Sequence, residues 1–159
     1  MKIERGLKMT KTKQIIAIAR EIAKKTRGFF KDKHPGIGDK ANLVFMKKLR
    51  KESESKLGED YSEKQLIRGV KSAVDFYIPH EKTIIEVALS LQKANSEEFY
   101  KDIFKAVLAK VGRVKIKQLV FVSKPGAKKR HQRPFSQAIK RWLKQYFAIE
   151  INIVELTKE

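Results

Sequence analysis

Two carboxylates stand in apolar surroundings near the middle of the chain, where the pattern predicts two strands joined by a short polar turn. Asp75 lies in the first apolar run and Glu86 in the second, on either side of a turn at 79–82. A four-residue turn there sets Ile78 opposite Thr83, and the same register sets Asp75 directly opposite Glu86. Opposed side chains of an antiparallel pair point to the same face, with Cβ atoms roughly 4.5–5.5 Å apart.

Such a pair of acids has a specific chemical meaning. Two poorly solvated carboxylates at that separation repel each other, so Asp75 and Glu86 imply a cation or a shared proton between them. A divalent metal held by oxygen ligands is the natural cation. The alternative is an ordinary strand on which Glu86 faces solvent, because a shift of one residue in register would send the two side chains to opposite faces.

The composition limits the class of protein. The chain has 159 residues, enough for one domain with a sizeable core, and we predict a single domain over residues 1–159. The lack of cysteine excludes disulfides, a thiolate zinc site and a thiol nucleophile, and the three dispersed histidines predict no zinc site. No apolar run is long enough to cross a bilayer and no signal peptide is visible, so we expect a cytoplasmic location.

The charge balance is strongly basic. The chain carries 37 Lys and Arg against 18 Asp and Glu, a formal net charge of +19. This excess favours nucleic acid as partner over a membrane, because no strongly amphipathic basic helix with exposed aromatic residues stands out. In a merely lysine-rich proteome the acids normally increase together with lysine, which is not the case here. From Ile103 to Ile149 the chain has basic residues but not one Asp or Glu.

This acid-free stretch supplies the predicted phosphate contacts, because a block of one charge sign across several elements is typical of a surface that meets phosphates. On the helix that ends the stretch, Trp142 and Tyr146 lie on the apolar stripe, and we interpret them as core residues rather than base-stacking platforms. The predicted contacts are Lys124, Lys128, Lys129, Arg130, Arg133, Lys140, Arg141 and Lys144.

The order of elements predicts the fold class. Residues 1–60 are mainly helical and residues 61–159 form an α/β core. Strand–helix–strand–helix–strand spacing at the end implies right-handed parallel crossovers, so we predict a central mixed sheet, a meander followed by parallel crossovers, flanked by helices. The predicted helices are 10–27, 39–56, 95–110 and 134–146, and the predicted strands are 66–71 (or the end of a short helix), the hairpin, 118–123 and 149–153.

This order, together with the two acids, resembles the PD-(D/E)xK, or restriction-endonuclease-like, nuclease superfamily. Its core is a helix, a three-strand meander, a helix and a strand, with a metal-binding Asp on the second strand and Glu-x-Lys on the third. Asp75 and Glu86 match these acids, and segment 98–105 resembles the covering helix, within a resemblance that spans about residues 66–156. The resemblance implies a site that cleaves phosphodiester bonds with Mg²⁺ or Mn²⁺ bound by Asp75 and Glu86. Members often add a glutamate from the first helix, a role that only Glu21 can fill, and many act as homodimers.

One position departs from the family motif. Ala88 stands where the motif has lysine, a residue that offsets the charge of the pentavalent phosphate and eases formation of hydroxide. In some members the lysine has moved to another element. Lys93, just past the third strand, is our first choice for the catalytic lysine, ahead of Lys101, Lys105 and Lys71.

Three functions are therefore open. The resemblance implies a metal-dependent nuclease acting on DNA. Ala88 allows an alternative, a nuclease-fold module that binds DNA or RNA without cleavage. A third possibility is a basic RNA- or ribosome-associated α/β protein in which Asp75 and Glu86 are ordinary strand residues.

Overall fold

A five-stranded mixed sheet lies at the centre of the computed structural model, with helices on both of its faces. The structure describes the backbone of residues 8–31 and 37–159, and the side chains of all of these except residues 37–39. The strands follow one another across the sheet in chain order. They are β1 (Ser62–Lys64), β2 (Val74–Ile78), β3 (Thr83–Val87), β4 (Gln118–Ser123) and β5 (Glu150–Glu155).

The predicted α/β class and mixed sheet are confirmed. β1, β2 and β3 form an antiparallel meander, and β3, β4 and β5 are parallel and joined through helices. No helix in the described ranges is both long and apolar enough to cross a bilayer. The helices are α1 (Lys11–Lys25), α2 (Ile37–Leu57), α3 (Glu98–Val111), a one-turn α4 (Ala127–Arg130) outside the predicted helices, and α5 (Pro134–Phe147).

Two apolar layers separate the helices by the face of the sheet that they cover. α1 and α2 pack on one face, where Ile15 and Phe45 join Phe76 of β2. α3 and α5 pack on the other face, where Phe99 and Leu143 lie in the layer that β3 and β4 complete. β4 contributes alternate side chains to both layers, as its continuous apolar run predicts.

The first strand lies earlier than the sequence pattern indicated. Segment 66–71 is not a strand, and β1 instead pairs Ser62 with Phe76. Gly69 has a φ of +77°, and the N–H of Val70 donates to the carbonyl of Ile67 at 3.2 Å, so these residues form a turn. A glycine adopts this left-handed backbone without steric cost, and the turn outweighs the strand preference of its neighbours.

Both helices on the second face expose apolar side chains. Phe99 and Ile103 of α3 are buried against the sheet. The placement of Trp142 and Tyr146 in the core was wrong, because each helix buries only one stripe and its apolar surface is broader than that stripe. α5 is therefore a basic helix with exposed aromatic residues, which the sequence pattern did not reveal. The exposed side chains and their exposed fractions are Tyr100 43%, Phe104 63%, Leu108 38%, Phe135 67%, Trp142 44% and Tyr146 68%.

A carboxylate from the β2–β3 turn holds the first turn of α1. The backbone N–H groups of Lys11 and Thr12 donate to Glu81 Oε2 and Oε1 at 2.7 and 3.1 Å, and Thr12 Oγ1 donates at 2.6 Å. These N–H groups have no partner within the helix, and a negative charge is favourable at a helix N-terminus. Burial alone would raise the pKa of Glu81, but the hydrogen bonds from Thr12 and Lys11 hold that pKa below its ordinary value.

Replacing Glu81 by Gln is expected to lower the free energy of unfolding at pH 7 by about 1–2 kcal/mol, the usual effect of losing a helix cap and its charge. Because the folded protein depresses this pKa, the stabilisation is fully present above the ordinary value of 4.5 and is lost as the pH falls through the lower pKa of the folded protein. Urea unfolding should therefore show a larger wild-type advantage at pH 7 than at pH 3. Glu54→Gln, at an exposed position of α2, is the control, and equal losses in both variants would contradict the capping role.

Candidate active site

β2 and β3 pair in the register that a four-residue turn predicts. Ile78 faces Thr83 and Phe76 faces Ile85, so the predicted register is confirmed. One further step along both strands sets Asp75 opposite Glu86. The N–H of Val87 donates to Asp75 Oδ2 at 2.7 Å, which fixes this carboxylate against β3.

Glu86 lies beneath α3 with only 3% of its surface exposed. Its Oε1 forms an ion pair with the ammonium Nζ of Lys105, 3.0 Å away. Lys105 Nζ also lies 3.2 Å from Asp102 Oδ1 and donates to the carbonyl of Ala73 at 3.2 Å. Lys105 therefore joins α3 to both strands of the hairpin.

Asp102 belongs to this cluster although the sequence analysis did not single it out. It is 8% exposed and lies three residues before Lys105 on α3. An available signal was its helical spacing with Phe99 and Ala106, both buried, which sets an acid on the sheet-facing side of the helix. The cluster thus has three acids, Asp75, Glu86 and Asp102, whose charges act on one another, and one ammonium in contact with the last two.

The electrostatics follow from burial and from this imbalance of charge. Burial, reinforced by the charges of Asp102 and Asp75, raises the pKa of Glu86 to about 9 against the opposing effect of Lys105. Burial likewise raises the pKa of Asp102 to about 6. Burial would lower the pKa of Lys105, yet the two carboxylates in contact with it hold that pKa above its ordinary value. Lys105 is therefore a cation at neutral pH, not a general base.

The acids of this cluster outnumber its one ammonium. Lys105 contacts Glu86 at 3.0 Å and Asp102 at 3.2 Å, while the carboxylate of Asp75 accepts from the N–H of Val87. In the part of the chain that the structure describes, no three His, Cys, Asp or Glu side chains are grouped to hold one ion. Mg²⁺ in proteins often takes only one or two carboxylates and fills its remaining positions with water and phosphate oxygens. Asp75 and Glu86 are two carboxylates that face each other on neighbouring strands.

The other predicted members of the site lie apart from this pair. Glu21 is on α1, on the opposite face of the sheet, where its 59% exposed side chain lies 3.8 Å from Lys24. Lys93 is exposed in the segment between β3 and α3, and Lys71 and Lys101 are also exposed. The structure brings Lys105, rather than Lys93, to Glu86, because α3 turns this lysine toward the strands.

Seven of the predicted phosphate contacts lie on α4, on α5 and in the short segment between them, and we call this set the basic surface. Lys124 does not belong to it, because this residue is 4% exposed and its Nζ lies 4.7 Å from the ring centre of Phe29. Arg130 and Lys140 are partly buried and donate to the carbonyls of Ala94 and His131 at 2.9 and 3.2 Å. The basic surface consists of Lys128, Lys129, Arg130, Arg133, Lys140, Arg141 and Lys144.

A buried histidine anchors the basic surface to α3. The ring of His131 stacks on Phe99 with centroids 4.1 Å apart, and its nitrogens contact Ser136 Oγ at 3.0 Å and the Leu91 carbonyl at 3.1 Å. Burial lowers the pKa of His131. The other histidines do not join it: His80 is 59% exposed in the β2–β3 turn, and His34 lies outside the described residues.

Comparisons of the chain with protein-family models, with curated protein sequences and with solved structures found no match. The interpretation of the site therefore depends on the contacts within this chain. These are the adjacent acids on β2 and β3, the lysine of α3 between two carboxylates, and the basic surface anchored to the same helix.

Replacing Glu86 by Gln removes a carboxylate whose ionised form the fold disfavours. Because the pKa of Glu86 is about 9 in the folded protein and ordinarily 4.5, its ionisation costs folding free energy that grows as the pH rises between these values. In EDTA we expect Glu86→Gln to unfold at higher urea concentration than wild type at pH 8, with little difference at pH 5. Lys105 keeps Asp102 and the Ala73 carbonyl as partners in this variant.

The control for this measurement is Glu97→Gln, which changes an exposed acid just before α3. Its stability relative to wild type should not vary between pH 5 and pH 8. If Glu86→Gln were less stable than wild type at pH 8, the burial cost assigned to the ionised carboxylate would be refuted.

Proposed function

We propose that this protein is a metal-dependent nuclease of the restriction-endonuclease-like fold that cleaves phosphodiester bonds in DNA. The observation that carries the proposal is the contact of Lys105 Nζ, 3.0 Å from Glu86 Oε1, beside a strand pair that sets Asp75 against the same glutamate. These are the three residue types of the nuclease motif, with the lysine supplied by α3 instead of by the third strand. The mixed sheet is consistent with the same fold.

The packing offers a reason for the displaced lysine. Ala88 is fully buried in the layer that β3 shares with α3, close to Phe99 and Ile103. A lysine at this fully buried position would have to displace part of that apolar layer. The lysine that reaches Glu86 comes instead from α3.

Each side chain of the cluster has a defined task in this proposal. Asp75 and Glu86 would hold Mg²⁺ or Mn²⁺, which supplies a water of lowered pKa and neutralises charge on the phosphate. Lys105, held as an ammonium, stabilises negative charge on the pentavalent phosphate and can hydrogen-bond the attacking water. Asp102 and the Ala73 carbonyl position Lys105 through contacts of 3.2 Å each.

The basic surface is placed to bind the rest of the substrate. Arg130 donates to the Ala94 carbonyl just before α3, and the ring of Phe135 lies 6.0 Å from that of Tyr100 on α3. Both contacts join the basic surface to the start of α3, the helix that also carries Asp102 and Lys105. Exposed Lys and Arg side chains there neutralise backbone phosphates without reading sequence.

A direct test compares wild type with Asp75→Asn and Glu86→Gln on supercoiled plasmid and on branched DNA, with Mg²⁺ or Mn²⁺. Wild type should cleave, and each variant should lose roughly 10²-fold or more of the rate, because each removes charge next to the reacting phosphate. Glu97→Gln is the matched control and should cleave as wild type does. Equal cleavage by wild type and both site variants would show that the site assignment is wrong.

Lys105→Ala should lower the cleavage rate by roughly 10²- to 10³-fold, the usual effect of removing one group that stabilises transition-state charge. Binding of uncleaved DNA in EDTA should change little, because one partly buried lysine contributes few of the phosphate contacts. Gel-based cleavage rates and fluorescence anisotropy measure the two effects separately. If Lys93→Ala abolished cleavage and Lys105→Ala did not, Lys93 would be the displaced lysine.

The second candidate function is a nuclease-fold module that binds DNA or RNA without cleaving it. Ala88 favours it, since the motif lysine is absent from β3, as does the lack of a three-ligand metal group in the described part of the chain. This function predicts salt-sensitive binding and no cleavage with either metal. The plasmid assay therefore decides between the two functions.

A further inference from the structure

Five aromatic side chains lie exposed on the two helices that cover one face of the sheet. Each has between 43% and 68% of its surface exposed, and they follow helical spacing along α3 and α5. Among the described residues, every large exposed aromatic side chain belongs to this set. We call the set the aromatic platform, and it consists of Tyr100, Phe104, Phe135, Trp142 and Tyr146.

The two stripes of the platform begin side by side. The rings of Tyr100 and Phe135 are 6.0 Å apart, at the first turns of α3 and α5. Phe104 directly precedes Lys105, whose ammonium contacts Glu86. The platform and the cluster of carboxylates therefore share α3 but lie on different sides of it, because Phe104 is exposed while Asp102 is buried against the sheet.

The charges around the platform indicate which partner it fits. Arg141 is exposed and directly precedes Trp142 on α5, a helix that has no acid of its own, whereas Lys144 lies on the other side of the helix from Tyr146 and 4.0 Å from Glu150. A second copy of this chain would bring the same acid-free, basic helix against itself, and like charges facing each other oppose association. A partner with negative charges and flat apolar faces matches the pattern, because its charges can meet the basic residues while its faces stack on the rings.

We propose that the aromatic platform binds the unpaired bases of a single strand of nucleic acid by stacking. The substrate of the proposed nuclease would then be DNA with unpaired nucleotides, such as a branch, flap or single strand, and this last step rests on the proposed function. In a duplex the faces of the bases are stacked on one another and cannot reach the rings. Exposed Phe, Tyr and Trp accept any base, so the platform should bind without sequence preference.

Trp142 gives a direct readout because it is the only tryptophan of the chain. Titration with a 20-nucleotide oligothymidylate in EDTA should quench its fluorescence, whereas a duplex without unpaired bases should bind with little quenching. Phe104→Ala and Tyr146→Ala should each weaken single-strand binding by roughly 5- to 150-fold, the range for loss of one stacked base. The same titration with oligouridylate shows whether the single strand is bound as DNA, as RNA or as both.

Two controls separate stacking from general effects. Leu43→Ala removes a 71% exposed apolar side chain from α2, on the other face of the sheet, and should leave binding unchanged. Arg141→Ala should weaken single-strand and duplex binding alike and reduce the dependence of binding on salt. All of these side chains are exposed, so circular dichroism and the melting temperature should match those of wild type.

The proposal is overturned if Trp142 fluorescence does not respond to the single strand, or if the duplex quenches it equally. It is also overturned if Phe104→Ala and Tyr146→Ala bind as wild type does, or if wild type is a dimer that Phe104→Ala dissociates, since the platform would then be an interface between copies. Quenching is measured in EDTA, where the proposed nuclease cannot cleave, so binding and cleavage are tested separately. Stacking without cleavage would overturn the nuclease proposal alone, and cleavage without stacking would overturn the platform alone.

Discussion

The buried carboxylate of Glu86 is the constraint from which the arrangement of α3 follows. A carboxylate that is 3% exposed in the middle of a sheet is costly to ionise, and it needs a proton or a cation beside it. α3 supplies the cation through Lys105, and Asp102 holds that lysine in place. The helix therefore packs Asp102 and Lys105 toward the sheet, together with the apolar side chains beside them.

The rotation of α3 also determines what the protein presents to its surroundings. Residues of an α-helix are about 100° apart, so Phe104 points about 200° away from Asp102. Turning Asp102 inward therefore turns Phe104 outward, together with Leu108 one turn later. A helix that must bury an acid and a lysine has less of its buried side left for apolar residues. The exposure of aromatic side chains on α3 is thus linked to the charges beneath the helix.

The sequence was sufficient for features that depend on local spacing. The length of the turn at 79–82 set the register of β2 and β3, and the order of apolar segments predicted the mixed sheet. It was insufficient where the outcome depends on how elements pack. Lys93 and Lys105 were both candidates for the lysine beside Glu86, and only the rotation of α3 distinguishes them. Trp142 and Tyr146 lie on the apolar stripe of their helix, but the width of that stripe does not predict how much of the helix surface the sheet covers.

The same limit applies to Lys124 and to Glu21. Lys124 immediately follows β4, and its basic context gave no sign that the side chain packs against Phe29. Glu21 was the only acid of the first helix, yet helix membership does not say which face of the sheet that helix covers.

The two faces of the sheet differ in the groups that lie on them. α1 and α2 close one face, where Glu81 caps α1, while the acidic cluster, the basic surface and the aromatic platform all belong to the face of α3 and α5. A ligand that reaches Asp75 and Glu86 must therefore contact α3, and the properties of that helix and its neighbour decide which ligand it is.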